Sequence, residues 1–246
     1  MKISAKSDKG MVRANNQDSY ATGELPGNVA WAVVCDGMGG AAGGNVASAT
    51  AVKRISETIA TCFHADMSDL SVRNLLMSAV ESANAEVYEK AQENETLRGM
   101  GTTVVAVIAV LNRLYIVSVG DSRVYLISDE LRQITTDHSL VQTMVDRGEL
   151  TKEEAAVHPK KNVITRALGV EPDVRVDFFQ EAWNPETDLV LLCTDGLTNF
   201  VGEDELMRIA AGADKYEIAN QMVDAANANG GGDNVTVVTV SNEGGR

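Results

Sequence analysis

Residues 102–128 read TTVVAVIAVLNRLYIVSVGDSRVYLIS, and the fold is decided by how this stretch is parsed. Three apolar runs, Thr102–Val110, Arg113–Gly120 and Arg123–Ser128, are rich in Val, Ile and Thr, the side chains that pack well on a pleated surface. Leu111-Asn112 reads as a hairpin turn between the first two, and Gly120-Asp121-Ser122 as another between the second and third. Working outward, Trp31–Cys35, Asp188–Cys193 and Asn234–Val240 have the same composition and are read as strands. Helices are expected over Gly44–Cys62, Leu70–Gln92, Ser139–Arg147, Lys152–Val157, Glu203–Ala211 and Lys215–Ala228. Val52, Ile55, Ile59 and Cys62 share one face of the first helix. Val72, Leu76, Ala79, Ala83 and Val87 share one face of the second. Thr151-Lys152-Glu153-Glu154 has the form of a capping box, and Asp214 with Glu217 a weaker version of it. The element order is not βαβαβ, so antiparallel sheet with segregated helices, an α+β fold, is expected.

The chain has 246 residues, a length that suits one domain, and no linker or internal repeat interrupts it. Lys plus Arg number 21 and Asp plus Glu 35, a net charge of −14. Such a surface repels nucleic acid and anionic membrane, so neither is expected as a partner. The sequence holds no apolar run of membrane-spanning length, and its first residues do not have the form of a signal peptide. Cys35, Cys62 and Cys193 form no CxxC pair and are read as buried thiols in a reducing, cytoplasmic setting.

The chemistry is carried by carboxylates. Two strands end alike, in Val34-Cys35-Asp36-Gly37 and in Leu192-Cys193-Thr194-Asp195-Gly196. Asp233 precedes the strand Val235-Thr236-Val237-Val238, Asp121 lies in a turn, and Asp18 follows Asn15-Asn16-Gln17. An Asp-Gly pair is ordinary turn chemistry. Grouped, however, such acids would have to become neutral or take up a cation. An all-oxygen donor set suits Mg²⁺ or Mn²⁺, and a glycine after Asp36 would let a backbone carbonyl approach an ion. His64, His138 and His158 lack the spacing of zinc ligands. Spacing alone leaves open whether the acids meet.

Six motifs occur in order: Ser7-Asp8-Lys9-Gly10 through Asn16-Gln17-Asp18, Asp36-Gly37-Met38-Gly39-Gly40, Gly99-Met100-Gly101-Thr102-Thr103, Gly120-Asp121-Ser122-Arg123, Thr194-Asp195-Gly196-Leu197 and Gly232-Asp233-Asn234-Val235-Thr236. Together they resemble the metal-dependent Ser/Thr protein phosphatases of the 2C type, the PPM family, in its short bacterial form. The resemblance spans about residues 4–241. It implies a four-layer αββα sandwich, two antiparallel β-sheets flanked by helices, formed by a single catalytic domain over 1–246 with a flap at about 136–169. It also implies hydrolysis of phosphoserine and phosphothreonine in proteins by a hydroxide bridging two metal ions, Mn²⁺ or Mg²⁺.

By that resemblance Asp36 bridges the two ions, Asp195 and Asp233 complete one shell, and the carbonyl of Gly37 joins the other. Asp18 holds a water on a metal, Asp121 with Asp195 takes a third, weaker ion, and Arg13 grips the substrate phosphate. The implied partners are phosphorylated proteins and a cognate Ser/Thr kinase, and a monomer is expected. Two positions depart from the family pattern. Gln17 stands where a Glu is frequent. Met38 stands where eukaryotic members often carry a His, which leaves the leaving-group acid unassigned. His138, next to Asp137, is read mainly as a surface or packing residue. The flap carries Arg147, Lys152, Lys160, Lys161 and Arg166, and the resemblance gives it the role of a cover that selects phosphoprotein sequences.

Overall fold

A computed structural model describes residues 1–242, apart from the side chains of Ala41 and Ala42. The last four residues of the expected 1–246 domain lie outside the described residues. In chain order the elements are β1 (Lys2–Asp8), β2 (Asp18–Leu25), β3 (Val29–Met38), α1 (Gly40–Cys62), α2 (Asp69–Glu93), β4 (Gly101–Thr102), β5 (Val104–Val110), β6 (Arg113–Val119), β7 (Arg123–Ile127) and β8 (Leu131–Gln133). There follow α3 (Leu140–Asp146), α4 (Lys152–Ala156), β9 (Asp177–Ala182), β10 (Leu189–Cys193), α5 (Asp195–Thr198), α6 (Glu203–Gly212), α7 (Ile218–Ala228) and β11 (Val235–Ser241). One sheet has the order β1-β11-β10-β7-β8; the other has β2-β3-β5-β6-β9, with β4 against β3. Every pairing is antiparallel.

Side-chain alternation along the central strands builds the layers. Even positions Ala30, Ala32 and Val34 of β3 and odd positions Val105, Val107 and Ala109 of β5 pack between the sheets, against Val190, Leu192, Val238 and Val240. The intervening Val29, Trp31, Val33 and Cys35 pack under α1 and α2, against Ile55, Ile59, Leu76 and Val80. On the far side Leu191, Cys193, Val235 and Val237 meet Leu206, Met222 and Val223 of α6 and α7. The central strands are therefore covered on both faces, and they read as continuous apolar runs for that reason. The result is the αββα sandwich expected from the sequence. Among the described residues no helix is long and apolar enough to cross a membrane.

Several expectations need correction. Gly120-Asp121-Ser122 is not a hairpin turn, because β6 and β7 belong to different sheets. Gly120, at φ +107°, turns the chain across the sandwich, and a Cβ there would meet Thr103 Cγ2 at 2.6 Å. Cys35 and Cys193 are buried but Cys62 is exposed. Cys62 is the last residue of α1, and Phe63 turns into the core in its place. The Thr151 capping box is present, with both bonds made. Asp214 makes no such box. It accepts the Tyr216 N–H, and α7 starts without a side-chain cap.

Candidate metal centre

The layer between the sheets runs out at one end, and polar residues close it there. Asp36 is the next even position of β3 after Val34, and the β2–β3 register sets Asp18 directly opposite it. On the other sheet the inward positions after Leu192 and Val238 are Thr194 and Thr236. Their hydroxyls donate to Asp18 Oδ2 at 2.9 Å and 2.7 Å. One carboxylate oxygen thus ties the two sheets together. Asp195 follows at the head of α5, and Asp233 stands at the entry to β11.

The five predicted acids interact here. Loss of solvation pushes Asp18 up to about 7, against the two threonine hydroxyls and with a further push from Asp195 and Asp233. Asp36 is raised well above the carboxylate range by desolvation, then by Asp18, Asp195, Asp121 and Asp233. Asp195 is raised by desolvation and by Asp233, although Asp36 and Asn199 hydrogen-bond to it. Asp121 is pushed up to about 7 by desolvation and by Asp195 and Asp137. Two cations counter the acids: Arg13 Nη2 donates to Asp233 Oδ2 at 2.8 Å, and the charge of Arg123 acts on Asp121 and Asp195.

Two buried oxygens, Asp18 Oδ1 and Asp195 Oδ1, have no hydrogen-bond partner. Orphaned acceptors among mutually repelling, desolvated carboxylates are what a hard divalent cation would satisfy, so the residues fit such an ion. Among the described residues no three His, Cys, Asp or Glu side chains already form a finished ligand cage. The fit therefore rests on the donor set and its unmet acceptors.

The Asp-Gly pairs have a further meaning. A Cβ on Gly37 would lie 2.1 Å from the Gly44 carbonyl oxygen, and one on Gly196 would lie 1.9 Å from the Asn234 carbonyl oxygen. Both glycines let a helix N-terminus approach the strand end that delivers an acid. Thr102 and Thr103 clamp Asp36. Thr103 Oγ1 accepts the Asp36 N–H at 2.9 Å, and Thr102 Oγ1 donates to the Asp36 carbonyl at 2.8 Å. Asn234 braces the loop that carries Arg13, donating to the Lys9 and Asn15 carbonyls at 2.9 Å and accepting the Gln17 N–H at 2.8 Å. Reading the acids alone misses these threonines and Asn234, although all of them lie inside the six motifs.

Gln17 donates its side-chain amide to the Gly40 carbonyl at 2.8 Å. His138 is buried, and burial lowers its pKa despite Asp177. His64 is exposed, and His158 lies just after α4. A cavity of about 580 Å³ opens beside the acids. Asp121, Asp195, Ser139, Gln142, Lys152 and Lys161 are among the residues that line it.

Comparison with known protein families matches residues 11–229 to Protein phosphatase 2C. The chain belongs to the protein phosphatase 2C family. Serine/threonine phosphatase stp of Listeria monocytogenes is 39% identical over 244 residues, 97% of this chain and 94% of that protein. The crystal structure of serine/threonine phosphatase Stp1 from Staphylococcus aureus matches at a TM-score of 0.92 and 33% identity, covering 99% of this chain and 95% of that one. The catalytic domain of serine/threonine protein phosphatase PstP, solved in complex with 2 manganese ions, matches at a TM-score of 0.84 and 36% identity, covering 97% and 96%. This protein phosphatase 2C is accordingly a Ser/Thr protein phosphatase, a hydrolase of a metal-dependent family.

Proposed function

We propose that this phosphatase removes phosphate from phosphoserine and phosphothreonine in cytoplasmic proteins with two divalent cations, Mn²⁺ or Mg²⁺, and so opposes a Ser/Thr kinase. The observation that carries the metal site is the pair of orphaned buried oxygens on Asp18 and Asp195 amid three further acids. Asp36, Asp195 and Asp233 would hold the ions together with the Gly37 carbonyl. Asp18 would act through a water, and Asp121 with Asp195 would take a third, weaker ion. Divalent ions bound there lower the pKa of an attacking water and stabilise charge on the phosphoryl group.

The chain's own residues orient the rest. Arg13 donates to Asp233 through Nη2, which leaves the other arm of its fork for the substrate phosphate. Asn234 holds the loop that aims Arg13, and Thr194 and Thr236 fix Asp18. Met38 has no proton to give, so the departing seryl or threonyl oxygen takes its proton from water. Residues 136–169 form a flap over the cavity and select among phosphoprotein segments. A phosphothreonine peptide and a sugar phosphate, each assayed with Mn²⁺ and with EDTA, test this reading. Turnover of the peptide, lost in EDTA and in a folded Asp36→Asn variant, is expected. Equal turnover in EDTA, or a marked preference for the sugar phosphate, would contradict it.

A further inference from the structure

Asp137 and His138, consecutive residues at the entrance to the flap, hold the Asp121 turn from both sides. The His138 N–H donates to the Gly120 carbonyl at 2.9 Å, and the Gly120 N–H donates back to His138 Nδ1 at 2.9 Å. Because Nδ1 accepts, the neutral ring carries its proton on Nε2, which faces Asp177 Oδ2 at 3.2 Å. Arg166 Nη1 lies 2.9 Å from that nitrogen and donates to Asp177 Oδ1 and the Arg175 carbonyl at 2.8 Å and 3.2 Å. On the other side of Asp121, Asp137 grips Arg123 through Nε and Nη2 at 2.7–3.0 Å. Asp121 therefore sits between two fixed points, Gly120 and Arg123.

The same residue joins the two ends of the flap, its backbone to Thr165 and its ring to Arg166. Ser139, the next residue, caps α3 through the Gln142 N–H. The His138 carbonyl accepts the Thr165 N–H at 2.7 Å, and Arg166 follows at the flap's return. A shift of either end is felt at His138, and from there at the Gly120 peptide next to Asp121.

We infer that His138 is a positioning residue that couples the flap to the Asp121 carboxylate. It rests on the metal-binding role proposed for Asp121, so the test separates the two. Asn can present an oxygen where Nδ1 accepts from Gly120. Gln reaches farther, to the Asp177 side, and gives up the Gly120 contact. Kcat, KM and the Mn²⁺ concentration for half-maximal rate are measured on a phosphopeptide for His138→Ala, His138→Asn, His138→Gln, Asp121→Asn and the His138→Ala/Asp121→Asn double variant. Each thermal midpoint is recorded as well.

His138→Ala is expected to lower kcat about tenfold with little change in KM and to raise the Mn²⁺ requirement, as loss of a group supporting a metal ligand does. His138→Asn should recover most of that loss and His138→Gln should not. The double variant should be no slower than Asp121→Asn alone, because both changes act on one carboxylate. Additive losses, or equal activity of the Asn and Gln variants, would overturn the inference alone. The Asn and Gln pair also decides the matter if His138→Ala does not fold. An Asp121→Asn enzyme with wild-type turnover would remove the role of Asp121 and the inference with it.

Discussion

Replacing Asp18 with Asn should stabilise the metal-free protein at pH 8 while weakening its response to Mn²⁺. Asp18 is 7% exposed, and its carboxyl titrates at about 7 instead of 3.8. A raised carboxyl pKa means that the folded state holds a proton that the unfolded chain has released. Stability on this account is lost as pH rises through the window from about 4 to about 7. A shift of about three units at 1.36 kcal/mol each corresponds to about 4 kcal/mol for a lone group. Asp36, Asp195 and Asp233 share the repulsion, and Asn gives up charge-assisted bonds from Thr194 and Thr236, so about 2 kcal/mol is expected to remain. In a chain of this size that is a rise in Tm of about 4–8 °C. Calorimetry in EDTA at pH 5 and pH 8, on both proteins, measures it. The wild type should gain stability on acidification more than the variant does, and the comparison cancels contributions such as that of His138. Added Mn²⁺ should stabilise the wild type by mass action and the variant less. A variant that is less stable than wild type in EDTA at pH 8, or one with the wild-type pH slope, would refute the reasoning.

Arg13→Ala should chiefly raise KM for phosphopeptides, since the side chain is half-exposed and meets the phosphate before chemistry; an unchanged KM would remove that contact. Gly196→Ala would set a Cβ 1.9 Å from the Asn234 carbonyl oxygen and should cost upwards of about 3 kcal/mol in a denaturant titration. A cost under about 1 kcal/mol would show that the α5–β11 contact yields easily.

The six strands found from sequence are the six central ones, whose Val and Ile runs are buried on both faces. The four long-path edges, β1, β2, β8 and β9, escape such a reading. Lys2–Asp8 and Asp177–Ala182 are half-buried and mix polar with apolar residues, so their pairing depends on neighbours rather than on a Val- and Ile-rich run of their own. The turn at Gly120 shows a related limit. Its residues specify a sharp reversal, but not whether the next strand stays in the same sheet. At the site, Asp36 and Asp195 are legible because a buried strand delivers each of them. Thr194 and Thr236 look like ordinary strand residues until the two sheets are stacked and both hydroxyls reach Asp18. The sequence suggests that the glycine after Asp36 frees a carbonyl for an ion; what the fold shows is that it lets α1 close onto the strand end.

The central claim is that the carboxylates at the end of the inter-sheet layer gather divalent cations. A crystal grown with Mn²⁺ and measured at the manganese absorption edge tests it most directly. Anomalous peaks within coordination distance of Asp36, Asp195 and Asp233 are predicted. Peaks only elsewhere on the protein, with these three acids bare, would contradict the account.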